Sequence, residues 1–207
     1  MPRPSRSSAY TSVTRCATTI LWVAFFGGAL AGCAVAPPDS TPHETLDEQT
    51  GATITTVDKP LVFARDRSER AANLRDYVTI AAAAVNRGGK RELVLVTYIW
   101  STLDPRYEPA RAEADALVLV ADDRRIRLSA NGKTPHELGI DNAIDVPVGQ
   151  SVKPLVFPTD QETLRFVAAA RSLQIQTRLA DESVSYDLWE DQRPALGRFV
   201  RFLEGER

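Results

Sequence analysis

Two long apolar runs flank a Gly-Gly pair near the middle of the chain. Tyr77-Val78-Thr79-Ile80-Ala81-Ala82-Ala83-Ala84-Val85 precedes Asn86-Arg87-Gly88-Gly89-Lys90, and Leu93-Val94-Leu95-Val96-Thr97-Tyr98-Ile99-Trp100 follows it. Runs of this length joined by a two-glycine turn predict a β-hairpin, because glycine enters the positive-φ region that a tight hairpin turn demands. The second run is apolar at successive positions rather than alternate ones, which predicts a central strand covered on both faces. The alanines of the first run also suit a helix, and periodicity alone leaves that choice open. On this reading Trp100 continues a buried strand and belongs to the core.

Shorter strands are expected on both sides of the hairpin. Thr53 to Val57 is rich in β-branched residues, Leu61-Val62-Phe63 follows Pro60, and Ala116 to Ala121 faces Arg125 to Leu128 across a turn at Asp122-Asp123. The last third changes character. After a strand over Val152 to Phe157, Thr159-Asp160-Gln161-Glu162 has the spacing of a capping box, with Thr159 as the cap of a helix running from about Asp160 to Ala170. Leu173, Ile175, Thr177 and Leu179 alternate with polar residues as a half-buried strand does, and Val184 to Leu188 can pair with it across residues 180 to 183. Leu196, Phe199, Val200 and Leu203 recur at helical spacing behind Asp191, with Pro194 in the first turn where its missing N–H costs nothing. The expected fold class is α+β: a mainly antiparallel, β-sandwich-like domain over residues 53–207, with two helices in its C-terminal region.

Function classes narrow through composition. With 43% apolar and 25% charged residues over 207 positions, the chain is neither collagen-like, nor a coiled coil, nor wholly disordered. Arg3, Arg6 and Arg15 stand in residues 1–32, where there is no acid, leaving 22 basic against 27 acidic groups in the rest. That balance argues against a nucleic-acid binder. The two cysteines, Cys16 and Cys33, both lie near the N-terminus. The later chain therefore offers no disulfide, thiolate metal site or cysteine nucleophile.

The N-terminal segment has the order of a secretory signal: three arginines, then no charged side chain from Cys16 to Pro38. Its apolar run ends in Leu30-Ala31-Gly32-Cys33, which resembles the lipobox of bacterial lipoproteins, a leucine and two small residues before the lipidated cysteine. The resemblance implies removal of residues 1–32, a thioether lipid on Cys33 and a further acyl chain on its new amino group. Two or three chains hold a protein to a membrane almost permanently. Ala34 stands where an aspartate commonly retains such proteins at the inner membrane, so the resemblance implies the periplasmic side of the outer membrane. Residues 33–52 hold three prolines and four acids with little to bury and read as a flexible tether, in which His43 is solvated. The stretch from Thr50 to Arg87 is similar to uncharacterised proteobacterial lipoproteins, and the tail resembles a module of small secreted bacterial proteins in which a capped helix, a hairpin and a closing helix complete a β-sandwich. Neither resemblance brings an activity.

Candidate chemistry is sparse. Gly88-Gly89-Lys90 lacks the spacing of a phosphate loop, no G-x-S-x-G elbow accompanies Ser101, Ser129 or Ser151, and His136 sits in a turn-rich loop. Asp141-Asn142-Ala143-Ile144-Asp145 lacks the glycine and distal glutamate of a calcium loop. No cofactor or metal is expected. Asp104, Glu108, Glu113 and Asp115 are the carboxylates a hydrolase of peptidoglycan or lipid would need. Against that alternative stands a non-catalytic binding or support role toward another envelope component. Its candidate contacts are Trp189, expected to face away from Tyr186 and Leu188, and the basic run Arg124, Arg125 and Arg127. That run is equally suited to guarding a strand edge.

Overall fold

The computed structural model describes residues 41–68, 73–102, 116–140, 154–179 and 182–205. In chain order the elements are β1 (His43–Asp47), β2 (Ala52–Thr56), β3 (Leu61–Asp66), β4 (Arg75–Arg87), β5 (Lys90–Ser101), β6 (Ala116–Ala121), β7 (Arg124–Ser129), a 3-10 turn (His136–Leu138), β8 (Leu155–Thr159), α1 (Gln161–Ala169), β9 (Leu173–Leu179), β10 (Glu182–Glu190) and α2 (Arg193–Glu204). The fold is α+β, a mainly antiparallel sheet with two helices in the last third of the chain.

The β4–β5 hairpin is the axis of the sheet. Gly88 and Gly89 both take positive φ, 58° and 79°, which sets a two-residue turn. Every cross-strand pair from Arg87↔Lys90 to Asp76↔Ser101 follows from that turn. The free edge of β4 is then shared, with β3 on Leu61↔Ile80 to Asp66↔Arg75 and β2 on Thr53↔Asn86 to Thr56↔Ala83. From β3 the sheet continues through β10, β9, β6 and β7, while β5 carries β8 on its other side. The two ends come back together where the Asn131 N–H donates to the Val156 carbonyl at 3.1 Å, so the sheet curls round on itself.

Both faces of the axis are covered. On the inner face, Leu164 and Val167 of α1 and Leu196, Phe199, Val200 and Leu203 of α2 pack against Leu61, Ile80, Ala82, Leu95 and Phe157. On the outer face, Leu138 and Ile140 beside the 3-10 turn close over Ile54, Ala83, Val85, Val94, Val96 and Val156. This double cover is why Val94, Leu95 and Val96 are all buried in succession. It also resolves the alanine run, which is extended throughout: Ala81 to Ala84 are buried in β4, and their small side chains let layers approach from both sides.

Two boundaries differ from the sequence reading. The cap of α1 is Asp160 rather than Thr159: the Thr163 N–H donates to Asp160 Oδ1 at 2.7 Å, a contribution of about 1 kcal/mol. Thr159 is taken up by β8, paired with Leu93, and its hydroxyl is buried. Part of the stretch expected as tether is a strand instead: His43–Asp47 pairs with β2 as the edge strand β1. No side-chain alternation betrays this strand, since its residues are almost all exposed and it is placed by its pairing with β2. Its turn is closed by Asp47, which accepts from the Gln49 N–H at 3.0 Å and from the Thr50 hydroxyl, while Gly51 (φ 63°) returns its N–H to the Asp47 carbonyl. His43 is exposed as expected, with Nε2 3.2 Å from Asp58 Oδ1.

A candidate binding surface around Trp189

The pairing of β10 with β3 is broken once. Leu188 faces Phe63 and Glu190 faces Val62, so Trp189 is the extra residue of a β-bulge. A bulge re-aims the side chain it carries, and Trp189 emerges 52% exposed on the outer side of the sheet, flanked by exposed Asp187 and Glu190. The Arg75 guanidinium lies 4.2 Å from the centre of its ring, a cation–π contact. Arg75 Nε donates in turn to Asp66 Oδ1 at 2.6 Å. That bond, followed by the Tyr77 hydroxyl, holds the guanidinium proton more firmly than usual. Tyr77 stacks on Trp100 at 4.2 Å with 13° between the rings, and Trp100 Nε1 donates to the Thr79 hydroxyl at 3.1 Å. A continuous line of aromatic and guanidinium groups thus runs from β10 to β5: Trp189, Arg75, Tyr77, Trp100. Trp100 is half-buried in it and is not a core residue, which corrects the sequence expectation.

The inner side of the same strand carries the opposite chemistry. Alternation along β4 turns Arg75 and Tyr77 outward and Asp76 inward, where it is fully buried. Asp76 Oδ2 accepts from Arg67 Nη1 at 2.7 Å and Asp76 Oδ1 from the Ser101 hydroxyl at 2.7 Å. This buried ion pair pins the beginning of β4 beneath the platform. Ser101 is therefore engaged and inaccessible rather than poised as a nucleophile. Tyr186 lies close by, and burial first, then the charge of Asp76, pushes its hydroxyl up to about 12 from 10.0. Between those two values the unfolded chain gives up a proton that the folded chain keeps, so stability falls as pH rises. We expect urea unfolding to show a loss on the order of 2 to 3 kcal/mol from pH 10 to 12. In Tyr186→Phe this alkaline drop should be largely absent.

The basic run lies elsewhere. Arg124, Arg125 and Arg127 are exposed on β7, separated from β10 by β6 and β9. Arg125 donates to Gln176 Oε1 across the sheet, and the Arg124 guanidinium sits 5.1 Å from the Phe166 ring of α1. Both attach to the protein's own surface, and their strand ends the hydrogen-bonded path, which fits protection of an edge. The tip of this hairpin is fixed by Asp122 (φ 49°), whose Oδ1 accepts from the Arg171 and Ser172 N–H groups at 3.0 and 2.9 Å. These bonds, Ser172's foremost, hold its carboxyl below the ordinary 3.8.

His136 opens the 3-10 turn and is exposed, and its neighbour Glu137 accepts from the Thr134 N–H at 2.6 Å. Among the described residues no three His, Cys, Asp or Glu side chains gather where a metal ion could be held. Cys33, the carboxylates Asp104, Glu108, Glu113 and Asp115, the Asp141–Asp145 segment and Ser151 lie outside the described residues. Arg75, Tyr77 and Asp66 were not singled out from sequence. A signal for part of the set existed: the turn at Gly88-Gly89 makes every β4–β5 pair sum to 177, which places Tyr77 opposite Trp100. Comparison with family models, with curated proteins and with solved structures finds no match to this chain.

Proposed function

We propose that the chain is a lipid-anchored protein of the bacterial envelope, held at the periplasmic side of the outer membrane by acyl chains on Cys33. Its domain serves a non-catalytic role, binding another envelope component. The anchor rests on Leu30-Ala31-Gly32-Cys33 and the charge-free run before it. The binding role rests on one observation: a half-exposed tryptophan raised on a bulge, stacked on a guanidinium and continuous with a second aromatic pair. Tryptophan, tyrosine and arginine are the residue types in which interfacial binding energy concentrates. Here intramolecular contacts already order them, so less conformational freedom is lost on binding.

The test joins both parts. In cells, Cys33→Ala should abolish lipid labelling and leave the chain at precursor size. A variant still cleaved after Gly32 and firmly membrane-bound would remove the anchor. Trp189→Ala should weaken cross-linked partner capture about 30-fold, near 2 kcal/mol, with an unchanged melting temperature. Undiminished capture would show that the partner binds elsewhere. The amide variants Asp104→Asn, Glu108→Gln, Glu113→Gln and Asp115→Asn should keep cellular function. Its loss in a folded, partner-bound protein would return the hydrolase reading.

A further inference from the structure

The covered face of the Trp189 ring shows what its open face is suited to take. On the covered face the Arg75 guanidinium stacks at 4.2 Å and gives its Nε–H to Asp66, so indole, cation and carboxylate form a closed set whose charges cancel. The residue is nonetheless 52% exposed, and the open area lies on the opposite face and at the ring edge. Beside that area stand two more carboxylates. Asp187 and Glu190 are both exposed, and neither has an ion-pair partner among the described residues. Asp187 is engaged by a neutral group, the Gln174 amide, whose Nε2 donates to its Oδ1 at 2.7 Å. Indole and carboxylate are thus repeated on the open side, and the described part of the chain supplies no cation to them.

On the binding role proposed above, we infer that the open face of Trp189 docks an arginine of a partner protein, whose guanidinium stacks on the indole and donates to Asp187 and Glu190. Because Asp66 neutralises Arg75, the incoming cation meets two uncompensated negative charges and no net repulsion from behind the ring. Arginine suits the place better than lysine, since its flat guanidinium covers a ring and donates within its own plane at the same time. A carboxylate would be repelled. A neutral side chain would gain the ring and not the acids. The row Trp100, Tyr77, Arg75, Trp189 then gains one further stacked group across the interface, where loss of water strengthens a cation–π contact.

The test titrates the full chain in phosphatidylcholine discs with capped pentapeptides of glycine and serine whose central residue is arginine, lysine, citrulline or glutamate, read by saturation transfer from protein to peptide. Citrulline keeps the shape of arginine and removes its charge. The arginine peptide should bind about threefold more tightly than the lysine peptide and about tenfold more tightly than the citrulline one, with transfer strongest to the arginine Cδ protons. Trp189→Ala should lower arginine binding about tenfold. Glu190→Lys and Asp187→Lys, charge reversals at exposed positions, should each lower it about fivefold and leave citrulline binding unchanged. An unchanged melting temperature shows that each variant is folded. Equal binding of arginine and citrulline, preference for the glutamate peptide, or arginine binding that survives Trp189→Ala would each overturn the assignment. If Trp189→Ala weakens cross-linked capture while arginine and citrulline bind alike, the guanidinium assignment falls and the binding surface stands. If capture and peptide binding are both unaltered by Trp189→Ala, both fall.

Discussion

Asp76→Ala is expected to lower the unfolding free energy by about 3 to 5 kcal/mol, because it removes the buried carboxylate to which both the Arg67 guanidinium and the Ser101 hydroxyl donate. Both groups are more than nine-tenths buried and joined at 2.7 Å, and the Ser101 hydroxyl occupies the second carboxylate oxygen. Replacing the pair together, Arg67→Met with Asp76→Leu, should recover much of that loss, since apolar side chains carry no desolvation cost. Urea unfolding of the single and double variants measures both. A loss under 1 kcal/mol for Asp76→Ala would mean that water reaches the guanidinium once the carboxylate is gone. The Arg75–Trp189 contact should weaken in parallel, because Asp76 and Arg75 are consecutive residues held by the same stretch of β4.

Phe199→Ala should cost a comparable 3 to 5 kcal/mol, by another route. The ring is fully buried beside Leu196, Val200 and Leu203, the stripe that fastens α2 to the inner face of the sheet. Removing it opens a cavity in a core whose neighbours are held by strand pairing and can collapse only in part. Phe199→Leu keeps most of the volume and should cost under about 1.5 kcal/mol. The two variants thus separate cavity formation from loss of hydrophobic character, and a small cost for Phe199→Ala would show that the helix does not seat as described.

What could be read from sequence divides by the range of the interactions that decide it. The β4–β5 hairpin, the β6–β7 hairpin, the β9–β10 pair and both helices are set by turn residues and by spacing within some 25 positions, and each was legible. The same locality should have placed Tyr77 against Trp100, but the unbroken apolar run concealed which face of β5 the helices cover. Assigning Trp100 to the core followed from that ambiguity. The Trp189–Arg75 contact depends on the pairing of β10 with β3, residues more than a hundred positions apart, and on one extra residue in that pairing. No local pattern encodes it. At the start of α1, threonine and aspartate are both good caps, and only the pairing of Thr159 with Leu93 decides between them.

Strand β1 has a mechanical consequence. It is the first described strand of the chain, it contributes no side chain to either hydrophobic cluster, and its five residue pairs with β2 and the exposed His43–Asp58 contact tie it to the sheet. A load applied through the N-terminal segment therefore enters the domain at its weakest seam. Local opening of such an edge costs far less than global unfolding. Peeling His43 through Gly51 from β2 would lengthen the connection by roughly 30 Å, while both cores stay closed. The strand then acts as a mechanical fuse, yielding extension before the load reaches the sheet around Trp189.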